Sequence, residues 1–139
     1  MSQEQDPSLA DIDALLHVLP AVDNPDFDPG RMNTIAEVGE HKSGPQFEAS
    51  PEMEALILTL HDRGWIADFD WSEWQPVAER YAKNPALLRE AGLGTLRKLF
   101  TTHVNREKFC DGHLAEITKS GHLAQLLRRL SEIRGALQL

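Results

Sequence analysis

Apolar residues along this chain return mostly with the rhythm of a helix. In the first such stretch Ile12, Leu15, Leu16 and Leu19 fall at the i, i+3, i+4, i+7 spacing of one helix face. Ser8 is placed to cap it, Asp11 stands at the third helical position, and Pro20 closes it. The pattern predicts a helix from about Ser8 to Leu19, with His17 off the buried stripe. A second run repeats the logic. Ser50-Pro51-Glu52 supplies a cap, a proline at the first helical position and an early acid, and Met53, Leu56, Ile57 and Leu60 form the face. His61, Arg63 and Gly64 then close it.

The segment between these helices holds Pro25, Pro29, Pro45, Gly30, Gly39 and Gly44, which argues for irregular chain with one short helix around Met32 to Val38. After the second helix, Trp65 to Trp71 alternates bulky apolar with small or acidic residues, which predicts a short extended segment laying Trp65, Phe69 and Trp71 into the core. Pro76 restricts where the next helix begins, so a turn near Ser72 and a helix to about Lys83 are expected. Short helical turns over residues 86–91 and a Gly92-Leu93-Gly94 connector follow. Three further helices are expected: Thr95 to about Cys110, with Leu96, Leu99, Phe100 and His103 on one face, then His113 to Lys119, then His122 toward the C-terminus.

The predicted fold class is therefore mainly α: a bundle of about five to six helices, a Pro/Gly-rich N-terminal loop region and at most one short extended segment. Residues 8–139 are expected to form one domain behind a disordered tail at residues 1–7. In the last helix Leu123, Leu126, Leu130, Ile133 and Leu137 alternate spacings of three and four. Such a stripe suits core packing, with a homodimer through the C-terminal helix as the alternative.

Composition agrees with a packed body. At 139 residues a chain buries roughly two-thirds of its unfolded surface, and the 41% apolar content is ordinary. No apolar run reaches the ~18 residues that span a bilayer, and the acidic start lacks the basic and apolar regions of a signal peptide. Cys110 is the lone cysteine, so no internal disulfide forms, and the expected location is cytoplasmic.

The net charge of −8 works against a general nucleic-acid or membrane-surface binder. It is unevenly spread: from residue 94 onward eight basic and four acidic residues leave +4, and residues 1–93 carry the other −12. A basic back packed on an acidic front accounts for this; nucleic-acid association through the basic C-terminal helices is an alternative.

Candidate chemistry concentrates at His103, Arg106, Lys108, Cys110, Asp111, His113 and His122. Cys110-x-x-His113 is half of a zinc site, but the second closely spaced pair is missing, so no metal ligand is assigned and the cofactor is left open. Cys110 with His103 or His113 would make a small enzyme. Lys108 and the following helix start favour its thiolate, whereas Asp111 opposes it, and free cysteines commonly serve as small apolar residues. The segments Asp111-Gly-His-Leu-Ala115 and Ser120-Gly-His-Leu-Ala124 read as repeated capping chemistry. Asp70 and Glu73 read as a capping box, and the tryptophans as core.

The leading expectation is a binding or accessory module. Helix starts near Gly112 and Gly121 offer unpaired backbone N–H groups close to basic side chains, a suitable place for a small anionic ligand or a protein partner. The candidate ligand-binding residues are Arg106, Lys108, Asp111, Gly112, His113 and Arg128.

From about Ser50 to Leu130 the chain resembles a family of small bacterial and archaeal proteins to which no function is assigned. The residues carrying the likeness are Gly64-Trp65-Ile66, Phe69-Asp70-Trp71 with Trp74, Leu96-Arg97-Lys98-Leu99, and Arg106-x-Lys108-Phe109-Cys110-x-Gly112-His113-Leu114. The N-terminus and the Pro-rich segment match poorly. The resemblance implies that arginine often stands where this chain has Lys108, and lysine lacks the forked phosphate contact of arginine.

Overall fold

A computed structural model describes residues 7–33, 46–110 and 112–137. Residues 1–6 of the expected tail, the expected short helix beyond Asn33, and Asp111 lie outside them. The helical elements follow the apolar rhythm. Helix α1 spans Leu9–Leu16, and Ser8 and Asp11 cap it reciprocally, each side chain accepting from the other's backbone N–H at 3.2 and 3.0 Å. Pro20 does not end this helix. The chain breaks at His17–Val18 instead, and Pro20 sits at the start of α2, Leu19–Val22, where a missing N–H costs nothing. Helix α3 spans Pro51–Asp62 behind its Ser50 cap, which accepts from Met53 N–H at 3.2 Å.

The short extended structure differs from expectation in place and number. Strands β1, Gly30–Asn33, and β2, Gln46–Ala49, pair antiparallel, with Gly30 opposite Ala49 and Asn33 opposite Gln46. Ser50 N–H donates to Pro29 carbonyl at 3.0 Å, so the pairing leads directly into the α3 cap. The segment from Trp65 to Asp70 is not a strand, because α6 side chains hold it. Arg97 Nε donates to Gly64 carbonyl at 2.9 Å, and Ala67 N–H donates to Thr101 Oγ1 at 2.8 Å.

Helix α4, Trp71–Lys83, begins before Pro76 and runs through it. Asp70 accepts from Glu73 N–H at its start, and Gln75 Nε2 donates to Ser72 carbonyl, the group that Pro76 leaves without its helical N–H. After α5, Pro85–Leu88, come α6, Leu93–Phe109, α7, His113–Lys119, and α8, His122–Leu137. Gly112 and Gly121 close the two junctions at φ of 96° and 89°, where an L side chain would be strained.

Helix α8 is the centre of the assembly and packs on α1, α2, α5, α6 and α7. Leu123, Leu126, Leu127 and Leu130 are buried along it together with Ile12, Leu15, Met53, Leu96 and Leu99, so the Leu stripe serves this core. Trp65 is also buried and meets Phe100 edge-on, ring centroids 5.6 Å apart. Trp71 and Trp74 are only half-buried, contrary to the all-core expectation: Trp71 stacks on Phe109 at the end of α6, and Trp74 on Tyr81 within α4. The basic back meets the acidic front through Arg134–Asp13, Arg128–Asp23 and Arg106–Glu79.

Candidate functional site

The helix start at α7 is already occupied by the protein itself. Glu107, near the end of α6, turns its carboxylate across the junction and accepts from Gly112 N–H at 2.9 Å and Leu114 N–H at 2.7 Å. The local anion attraction of those amides is thus satisfied by a residue six positions before the helix begins. Lys108, Phe109 and Cys110 around it are exposed. Arg128 pairs with Asp23 on another face. Of the described candidate residues, only Arg106 and His113 come together.

They do so in a cleft of about 410 Å³ between α4, α6 and α7. Ala78, Glu79, Ala82 and Lys83 form one wall, His103 and Arg106 a second, and His113, Glu116, Ile117 and Ser120 the rest. Arg106 Nη1 lies 3.4 Å from Glu79 Oε2, a long and half-exposed pair that contributes little.

Beneath Arg106 and His113 runs a chain of three buried imidazoles. His103 Nδ1 is 2.9 Å from His113 Nε2, and His103 Nε2 is 3.2 Å from His122 Nε2. His103 comes from the buried face of α6, while His113 and His122 are the first residues of α7 and α8. The two left-handed glycines, Gly112 and Gly121, turn those helix starts onto the same ring. His103, His113 and His122 are 4%, 6% and 2% exposed.

Burial dominates the protonation of all three. It holds His103 well below the usual histidine range, aided by His122, His113 and the Arg106 charge. His113 is also lowered, by burial and then Arg106, against the opposing pull of Glu116 and Glu79. Burial and His113 bring His122 down to about 4. At neutral pH the chain is three uncharged rings with one N–H each. Two of those N–H groups make the N–H···N bonds, and His122 Nδ1 is buried with no partner among the described residues.

The arrangement does not suit a single metal ion. His113 and His122 engage different nitrogens of His103, so the three lone pairs do not converge, and among the described residues no three His, Cys, Asp or Glu side chains are arranged as a ligand set. The sequence carried a signal of this cluster in the repeated Gly-His-Leu-Ala and in His103 on an apolar face. Taken locally the repeat reads as capping, whereas the α7 start is met by Glu107 and only the fold shows that both copies meet His103.

A family model for DUF6508, a family of unknown function, matches residues 7–136. It extends the likeness seen from Ser50 to Leu130 through the N-terminal helices and the Pro-rich segment. No curated protein and no solved structure matches the chain. Among the described residues no helix is long and apolar enough to cross a membrane. The chain, with its imidazole-floored cleft, belongs to DUF6508, a family of unknown function.

Proposed function

We propose that this protein is a binding domain that holds a small anion, through a carboxylate or phosphate group, in the cleft between α4, α6 and α7. Arg106 and His113 are the recognising pair. The observation that carries this reading is their shared lining of one cleft over a neutral imidazole floor. Among the described residues Arg106 pairs with Glu79, at 3.4 Å, and an incoming anion displaces that contact at small cost. Lys83 adds a second positive charge on the facing wall. The lone exposed thiol of Cys110 suits a reducing, cytoplasmic setting and does not line the cleft.

Thermal unfolding with sulfate and with inorganic phosphate, at ionic strength matched with chloride, tests the reading. Either anion at ten times its Kd stabilises the fold by about 1.4 kcal/mol, which raises the midpoint by several degrees. The gain disappears in Arg106→Ala. Equal midpoints with sulfate, phosphate and chloride overturn the proposal.

A further inference from the structure

We infer that anion binding in this cleft is coupled to proton uptake by the chain His113–His103–His122, which takes one proton from solvent as the anion arrives. This rests on the binding reading above and adds a regulation to the same site.

The geometry sets the direction of the chain. His122 Nδ1 is buried and has no partner among the described residues. A buried N–H without an acceptor is costlier than a buried lone pair without a donor, so this nitrogen carries the lone pair. It follows that His122 Nε2–H donates to His103 Nε2 and His103 Nδ1–H donates to His113 Nε2. The remaining proton of His113 is then on Nδ1, and His113 lines the cleft. An anion beside Arg106 therefore meets a second N–H donor.

The same orientation leaves one vacant lone pair in the chain, at His122 Nδ1. A proton added there makes a fourth N–H on the row. The Nε2 proton of His122 moves to His103 Nε2, and the Nδ1 proton of His103 moves to His113 Nε2. Both hydrogen bonds between the rings are remade with their directions reversed, the positive charge emerges on His113 next to the bound anion, and the unpartnered Nδ1–H left on His122 is a cost that the anion's charge offsets. The row meets the cleft at His113 and is closed at His122, so the proton enters by local opening at the start of α8 and is stored on the row, not conducted through the protein.

The charges facing the row favour this only when an anion is present. Arg106 on α6 and Lys83 on α4 oppose a cation at His113, while Glu79 on α4 and Glu116 on α7 favour it. His103 feels Arg106 and both partner rings, and His122 feels His113. An anion seated on Arg106 cancels the main opposing charge, and the balance then turns toward the imidazolium.

Sulfate is the probe, because it carries no titratable proton near neutrality. Calorimetric titration of the full chain at about pH 6.5 in two buffers of different ionisation enthalpy gives heats that differ, reporting a net uptake between zero and one proton. Sulfate affinity then rises as pH falls from about 7 toward 5.5, by at most about tenfold per pH unit. Nitrogen-15 spectra of the imidazoles of the wild-type protein show His103, His113 and His122 moving toward the cationic form on sulfate addition. His122→Asn, outside the cleft lining, still binds sulfate but loses more than half of the uptake. The spectra decide the matter alone if that variant does not fold. Sulfate binding with buffer-independent heats, or with uptake at His17 or His61, overturns this inference and leaves the binding reading intact; no sulfate binding at all removes both.

Discussion

Two polar regions separated by a few residues solve burial in opposite ways. At the α6–α7 junction one carboxylate, Glu107, meets two backbone donors, and every partner lies within seven positions of the others. Under the cleft, three imidazoles drawn from positions 10 and 19 residues apart satisfy one another and leave one nitrogen over. The first region is a local capping device, complete once the helix forms. The second exists only in the finished fold, is incomplete by one hydrogen bond, and is the one that borders a cleft. A row that is incompletely satisfied at its inner end and reaches an opening at the other separates a place where something can happen from one where the chemistry is finished.

The largest effect that tests this contrast is acid destabilisation. The folded-state pKa of His122 is about 4, below the ~6.5 of an unfolded histidine, so the unfolded chain takes the proton first as pH falls. The stability this reflects is intact above about pH 6.5 and is lost progressively down to about pH 4, in total about 3 kcal/mol for His122 alone. The lowered His103 and His113 add to the loss in the same direction. Urea unfolding at pH 7, 6 and 5 checks it; a flat free energy over that range contradicts the neutral chain. His122→Leu flattens the slope while lowering stability at pH 7.

Next in size is Glu107→Ala. Removal of one carboxylate strands two half-buried amides, and the expected cost is about 2 kcal/mol, with no change in the pH slope below 6.5. A steep change in that slope would mean that the two regions are one network. Gly121→Ala is smaller. An added Cβ meets nothing within 4 Å, so the cost is that of the left-handed backbone alone, about 1 kcal/mol by thermal or urea unfolding. Smallest is Cys110→Ser: the thiol is exposed, so the variant leaves the midpoint unchanged, and in the parent Cys110 reacts with a thiol reagent at the rate of a free cysteine. A protected thiol would place it in the interior.

The helical skeleton was legible because burial leaves a periodic trace. Ile12, Leu15, Met53, Leu56 and Leu60, with the caps Ser8 and Ser50, behave as their spacing implies. Features that depend on partners distant in sequence were not. The pairing of residues 30–33 with 46–49 crosses a Pro/Gly-rich stretch with no apolar alternation to mark it. The segment 65–70 alternates like a strand, but Thr101 meets its Trp65 carbonyl and Ala67 N–H, and Arg97 holds the Gly64 carbonyl just before it. Pro76 is tolerated because Gln75 reaches Ser72. At the site, Arg106 and His113 were visible as chemistry, whereas Arg128 looked equivalent until α8 carried it to Asp23. Convergence of the histidines needs two left-handed turns in succession, and no periodic rule encodes where such turns aim a ring.

Helix α8 carries a consequence for how the molecule is made. The first helix rests on the last, and Arg134 reaches Asp13 across 121 positions, at 2.7 Å. Until α8 is made, a nascent chain on the ribosome holds α1 with only α3 to cover part of its apolar face. The interior closes only when α8 has emerged, so chains stopped before residue 122 expose leucines to solvent and to quality control, and the imidazole row forms only with that closure.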